Sequence, residues 1–270
     1  MPRVCIIKSG KPEVSRAFEY IEFEPREVET VVIKPSLCCK KHSSTGATVE
    51  LGYLEQIFRL YEGLAEEIYV VESNSTHYNA DDIASYLGLK DLVEYYNAKW
   101  VNLSKDVFIP VEKDFTVLDK GFPVPRTILK ADVFINLGKM RTDKHAIVNL
   151  SLTNLFTLIP LARERFYPMV SDAIIDLLMI RAPDINLIDG IVSMEGEAPE
   201  AGRPKRMDLT LASRDPVALD TISCNIMGIN PVHVEHILKA GYYGFGEYIE
   251  KKIDIVGKRV EDVRDKFLMP

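Results

Sequence analysis

The stretch ADVFINLGKMRTDKH, residues 131–145, decides how this chain is read. Its first half, at 132–137, carries apolar residues at the successive positions 133–135 rather than at alternate ones. It is also rich in β-branched and aromatic side chains, the composition of a strand. A run of that kind suits a strand buried on both faces, as in a parallel or mixed sheet covered by helices. Its second half, KMRTDKH, gathers Lys139, Arg141, Thr142, Lys144 and His145 directly after the strand. Arginine offers a planar fork for bidentate contact, lysine a point charge, and histidine a group that titrates near neutrality. The cluster therefore suits phosphate or carboxylate recognition, and it reads equally well as a solvated basic loop.

Working outward, short β-branched runs recur at 4–8, 30–34, 67–72, 185–189, 208–212 and 253–256. Helical signals separate them. Leu51, Leu54, Ile57, Phe58, Tyr61 and Leu64 trace one amphipathic stripe. Asp215 before Pro216 and Asn230 before Pro231 each put a capping side chain ahead of a proline suited to the first helical position. Ser171 is placed to cap a helix through Ile174, Ile175, Leu177 and Leu178, and Gly88 and Gly228 stand where chains leave helices. The expected fold is a three-layer α/β core, a mostly parallel or mixed sheet flanked by helices. Residues 101–129, broken by prolines, form an inserted hairpin or flap. The loop EGEAPEAGRPKR, 195–206, is long enough for a lid. With no internal repeat or linker, residues 1–270 read as a single domain, with 101–129 as an inserted sub-lobe.

Composition narrows the function classes. A 270-residue chain can bury a core without staples, and 47% hydrophobic with 27% charged residues is ordinary for an ordered protein. A net charge of −7 and the lack of a recognisable motif speak against nucleic acid. No apolar stretch approaches a membrane span and residues 1–10 have no secretory h-region, so the default address is the cytoplasm. Cys5, Cys38, Cys39 and Cys224 show none of the paired spacing of a zinc or iron–sulfur motif. No GxGxxG opens a helix, so a nucleotide cofactor has no support and the cofactor is unknown. Gln56 is the only glutamine beside abundant Glu, Lys and Arg, a bias of heat-adapted proteins.

In open parallel sheets ligands bind beyond the carboxyl ends of the strands. The polar residues there are Lys8, Lys34, Glu72, Asn136 with Lys139, and Asp189. Strand ends also meet solvent in any protein, so each position alone has a structural explanation. Together they outline a crevice for a small anion, in which Lys139, His145 and Asp189 are the candidate catalytic groups. Lys34, Arg141, Thr142, Asn154 and Glu195 are candidate ligand contacts. The loop CCKKHSSTGAT, 38–48, follows Lys34 and adds Thr45 and Thr48, whose backbone amides could cradle an anion. Cys38 is a candidate nucleophile if Lys40, Lys41 and His42 lower its pKa. His233 and His236, three apart beside Glu235, lack a third metal ligand, and no metal site is assigned.

The order of segments carries a resemblance. VVIKPSLCC (31–39), STGAT (44–48), ADVFINLGKMRTDKH, LSLTNLFTLIP (150–160), LIDGIVSMEGEAPEAGRP (187–204), LASRDPVALD (211–220) and IMGINP (226–231) follow one another as in the DUF362 family, along nearly the whole chain. The most specific parts surround Asp189, Met194 and Gly202, and Asp215 and Asp220. The resemblance implies an α/β fold and a site location. The family's activity is unassigned, and its members often carry a ferredoxin-like domain with clustered cysteines, which these residues do not contain. The family's K-x-K-T-H motif corresponds to Lys139, Met140, Arg141 and Thr142 with a displaced His145, Asp143 standing where histidine is usual. Its K-N pair is Thr153 and Asn154 here. Three functions follow: an enzyme acting on a small carboxylate or phosphate; an accessory protein for metal or iron–sulfur handling through Cys38, Cys39, His42 or His233; and a non-catalytic ligand-binding module. Oligomeric state is open.

Overall fold

The computed structural model describes residues 1–75, 77–199 and 201–270. Strands β1 (Arg3–Lys8), β2 (Val28–Pro35), β3 (Ala65–Glu72), β4 (Lys99–Asn102), β7 (Val133–Asp143), β9 (Ile185–Glu195), β10 (Arg203–Ser213) and β11 (Asp254–Gly257) form one sheet in the order β11-β1-β10-β9-β7-β2-β3-β4. Neighbours pair in parallel except β10, which is antiparallel to both β1 and β9. A short strand, β8 (Ile147–Asn149), folds back antiparallel on the end of β7.

The unbroken apolar runs are two interleaved stripes. Val4, Ile6, Val32, Phe134, Ile188 and Leu211 face one layer of helices, Val170–Arg181, Pro216–Ile226 and Glu235–Tyr242. Cys5, Ile7, Val31, Ile33, Ile135, Leu187 and Ala212 face the other, Val14–Tyr20, Gly52–Tyr61, Ala80–Tyr86 and Leu89–Tyr95. Successive side chains of a strand point to opposite faces, so covering both faces makes every position apolar. The chain is thus a three-layer α/β structure.

The insertion is present as a hairpin of β5 (Phe108–Val111) and β6 (Phe122–Pro125), an antiparallel pair outside the main sheet. It is tied down by Asp176, buried on the Val170–Arg181 helix, which accepts hydrogen bonds from the N–H groups of Thr116, Val117 and Leu118 at 2.8, 2.8 and 2.9 Å. The local helix signals hold in part. Asp215 Oδ1 accepts from Ala218 N at 2.8 Å and starts Pro216–Ile226, and Asn230 caps the turn at Pro231. Ser171 does not cap: a preceding 3-10 turn runs straight into the helix, and its hydroxyl donates to Glu235 instead. The 195–206 segment is shorter as a loop than its composition suggests. β9 runs through Glu195 and β10 begins at Arg203, which leaves 196–202 as the connection, of which residue 200 lies outside the described residues.

Strand order positions the site. From β2 the chain moves to β3 and β4 through helices on one face, whereas β7, on the other side of β2, connects to β9 through helices on the opposite face. The two directions part between β2 and β7, where the loops leaving them diverge and open a crevice at the carboxyl ends.

Candidate functional site

A cavity of about 360 Å³ lies at that divergence, large enough for a small organic molecule. Its walls are the loop leaving β2 (Leu37, Cys38), the end of β3 (Glu72, Ser73) and the end of β7 with its turn (Arg141 and 143–146). The segment 153–170 contributes Thr153, Arg163 and Tyr167.

The basic heptad is strand through Asp143, and only Lys144 and His145 lie in the exposed turn that follows. Within β7, Lys139, Arg141 and Thr142 are 1%, 4% and 0% exposed. Gly138 makes room for this: a Cβ there would lie 2.7 Å from the carbonyl of Leu150, so only glycine lets the 150–154 segment cross β7 closely.

Arg141 is the most informative side chain. Its Nη1 donates to the Ala47 carbonyl at 2.5 Å and lies 2.9 Å from Cys38 Sγ. Its Nε is buried without a hydrogen-bond partner among the described residues. A buried unsatisfied donor costs on the order of 1–3 kcal/mol, so an arginine with one such group on a cavity wall is set up to receive an acceptor. The buried Asn149 Oδ1 on the same wall is also unpartnered among the described residues. Arg163, 5% exposed, supplies a second cation and anchors itself on the Asn74 carbonyl.

Carboxylates on the wall are already engaged. Glu72 Oε2 is 3.0 Å from the Lys34 ammonium and its Oε1 accepts from Ser73 N at 2.8 Å. Asp143 Oδ1 accepts from the backbone of His145 and Ala146. Burial lowers the pKa of Lys34 from its ordinary value, and Glu72 opposes that shift. Behind the pair a buried amide network runs inward. Lys34 donates to Asn154 Oδ1 at 3.3 Å, and Asn154 donates to Asn136 at 2.8 Å. Asn136 reaches Ser151 at 2.9 Å and Asn186 at 3.2 Å. Asp220 closes the chain by accepting from Ser151 N and Leu152 N, both at 2.9 Å. Burial pushes its carboxyl up to about 7.

Cys38 is half-buried on the wall, with its Sγ 3.5 Å from that of Cys39. The Cys39 thiol's hydrogen bond is the largest influence lowering the Cys38 pKa. Burial opposes it, and the Arg141 charge adds to the lowering. Cys39 shifts the opposite way, raised by the same hydrogen bond and by burial. The cationic partner is thus Arg141, 103 residues away in sequence, while His42, one of the neighbours expected to act, lies against the Tyr86 ring.

Other sequence candidates fall into distinct places. His145 is exposed and stacks on Tyr167 at 4.6 Å between ring centres, with both side chains on the cavity wall. Lys139 and Asp189 form a buried ion pair at 2.7 Å, and Asp189 also accepts from Glu50 N and Ile191 N. Neither lines the cavity. Thr142 donates to the Gly196 carbonyl and Thr48 to that of Lys41, while Thr45 caps its own turn on His42. Glu195 pairs with Lys205 at 3.3 Å, outside the cavity lining. Arg163 and Tyr167 were not legible in the sequence because their segment has no periodicity to mark the one as buried and the other as half-buried. Among the described residues no group of three or more His, Cys, Asp and Glu gathers as a metal site, and no helix is long and apolar enough to cross a membrane. Burial holds His236 down at about 4, and His233 is exposed, so the pair does not share one environment.

The sequence profile of the family described as "Domain of unknown function (DUF362)" matches residues 31–225, which takes in β2 through most of the Pro216–Ile226 helix and every cavity wall. The chain belongs to the DUF362 family. Among curated proteins, this DUF362 chain is similar to the "Thylakoid-associated protein sll1697" of Synechocystis sp. (strain ATCC 27184 / PCC 6803 / Kazusa). The two are 28% identical over 114 residues, 39% of this chain and 36% of that protein. The DUF362 chain therefore spans about a third of that relative's length. Among solved structures, a crystal structure of a protein from Thermotoga maritima aligns with a TM-score of 0.38 at 12% identity, over 78% of this chain and 57% of that one.

Proposed function

We propose that this protein is an enzyme that binds a small carboxylate- or phosphate-bearing molecule in the cavity between β2 and β7. Arg141 and Arg163 hold the anion, and His145, stacked on Tyr167, exchanges a proton with it. The observation that carries the reading is the buried side chain of Arg141, which lines the cavity and whose Nε has no hydrogen-bond partner among the described residues. A buried cation keeps its charge only with compensation, and an anionic ligand supplies what Ala47 and Cys38 leave over. The remaining candidates support the wall. Lys34 and Asn154 fix Glu72. Lys139 and Asp189 lock the 50–53 turn against β9 through Glu50 N. Thr45, Thr48 and Thr142 hold the loops that frame the opening.

The test is calorimetric titration of the protein and of Arg141→Ala with inorganic phosphate and with succinate. Loss of charge-assisted hydrogen bonds should weaken binding by at least about 1.5 kcal/mol, roughly tenfold. Equal affinity in the variant, or no heat of binding to the unmodified protein at millimolar anion, removes this reading.

A further inference from the structure

The loop 38–48 brings a thiol to the same wall that carries Arg141, the arginine whose Nε has no partner among the described residues. Cys38 Sγ is 2.9 Å from Arg141 Nη1, 3.5 Å from Cys39 Sγ and 3.1 Å from the Ala47 carbonyl. Three geometric facts bear on its chemistry. First, Gly46 turns the loop with φ +78°, and a side chain there would fall on the Ser193 backbone, so Cys38 and Ala47 are held against the end of the sheet. Second, the Ala47 carbonyl accepts from both Arg141 and the Cys38 thiol. On ionisation the sulfur gives up its donation to that carbonyl, keeps the guanidinium, and accepts from the Cys39 thiol 3.5 Å away. Third, Arg141 lines the cavity and is 4% exposed, its Nη1 is the nitrogen beside the sulfur, and its Nε has no hydrogen-bond partner among the described residues. Cys5, Cys39 and Cys224 are buried, whereas Cys38 alone of the four lines the cavity.

We propose that Cys38 is the nucleophile of this cavity. Its thiolate attacks an electrophilic carbon of a small carboxylate- or phosphate-bearing molecule that Arg141 holds beside it. This rests on the anion-binding reading and adds a covalent step to it. The Sγ–C bond forms with the sulfur's electron pair, the bond from that carbon to its leaving group breaks, and the leaving group departs with its own pair. The thiol proton has already gone to solvent, because the guanidinium and the Cys39 thiol favour the ionised sulfur. Where the recognised anion is itself the leaving group, as in an acyl phosphate, the same arginine stabilises the charge that develops on it.

The test pairs two alkylating agents that differ in charge, iodoacetate and iodoacetamide. Each forms an S–C bond and releases iodide. A free thiol prefers the neutral reagent; a thiolate beside a guanidinium that can still receive an anion prefers the anionic one. Peptide mass spectrometry should locate the label on Cys38, with Cys5, Cys39 and Cys224 unlabelled in the folded protein. Iodoacetate should react at least roughly tenfold faster than iodoacetamide, the size of a charge-assisted contact. It should saturate with concentration, be slowed by inorganic phosphate, and follow a pH profile with a midpoint below the ~8.5 of free cysteine. Arg141→Gln should restore the preference for iodoacetamide, whereas Arg141→Lys, which keeps the charge and loses the fork, should weaken the preference for iodoacetate without reversing it. Phosphate titration of Cys38→Ser separates the two readings. If Cys38→Ser and the unmodified protein bind phosphate but Cys38 resists both reagents or prefers iodoacetamide, the nucleophile assignment fails and the anion site stands. If neither protein binds phosphate and iodoacetate shows no preference, both fall.

Discussion

Replacing Lys139 by Met removes one half of an ion pair that has no access to water. Lys139 is 1% exposed and Asp189 0%, with Nζ 2.7 Å from Oδ2. The carboxylate would keep two backbone donors, Glu50 N at 2.8 Å and Ile191 N at 3.0 Å, but no counter-charge. Breaking a buried pair from one side costs about 3–5 kcal/mol, because the remaining charge is stranded rather than because the pair was strong. At about 2–4 °C per kcal/mol for a chain near this size, the melting temperature should fall by roughly 6–20 °C. Asp189→Asn should cost a similar amount by stranding the ammonium. The double variant Lys139→Met with Asp189→Asn should be no worse than either single, since both charges leave together, giving a coupling energy of about 3 kcal/mol or more. Chemical unfolding followed by circular dichroism measures all four proteins, and unchanged slopes confirm that the denatured state is comparable. Single losses under about 1 kcal/mol that simply add in the double variant would refute the reasoning. The pair would then be solvated, and Lys139 would be free to act on a ligand.

Two further outcomes follow from the buried carboxylates. Burial pushes Asp220 up to about 7. Between roughly pH 4 and 7 the folded protein therefore holds a proton that the unfolded chain, near the ordinary aspartate value, has released. Stability from this group falls as pH rises through that window and is flat above it. Asp220→Asn should remove the dependence, so the stability of the unmodified protein minus that of the variant declines from pH 5 to 8, and a difference constant with pH would contradict it. His236, held at about 4 by burial, contributes the opposite trend below roughly pH 6.5 in both proteins and cancels in that difference. Asp176→Ala should free the hairpin segment that its three accepted hydrogen bonds hold. Hydrogen exchange at Thr116, Val117 and Leu118 should quicken at least about tenfold while the central strands keep their protection. Unchanged exchange at those amides would mean that the hairpin is held by apolar packing alone.

Features that act over a few residues were readable directly from the chain. The unbroken apolar runs announced strands covered on both faces, because Ile135 and Phe134 serve opposite helix layers and each layer demands an apolar partner. The stripe from Leu51 to Tyr61 and the Asp215 cap were readable for the same reason, since helical spacing and a capping hydrogen bond span a handful of positions, while Leu64 lies past the end of that helix at Tyr61. The proline-broken 101–129 stretch showed that something interrupts the alternation, and its strands pair at 108–111 and 122–125. What the chain could not show is which strand lies beside which. The heptad KMRTDKH reads as a solvated loop or as an anion site from its composition alone. Only the placement of β7 between β2 and β9 buries its first four residues, turning Lys139 to Asp189 and Arg141 to Cys38 across 50 and 103 residues of sequence. Arg163 reaches the cavity wall through the turn that follows the 151–158 helix, with no local pattern to mark it. Backbone periodicity and capping are local and are written in short windows of sequence. Charge pairing and cavity formation depend on distances set by strand order, and strand order exists only once the sheet has closed.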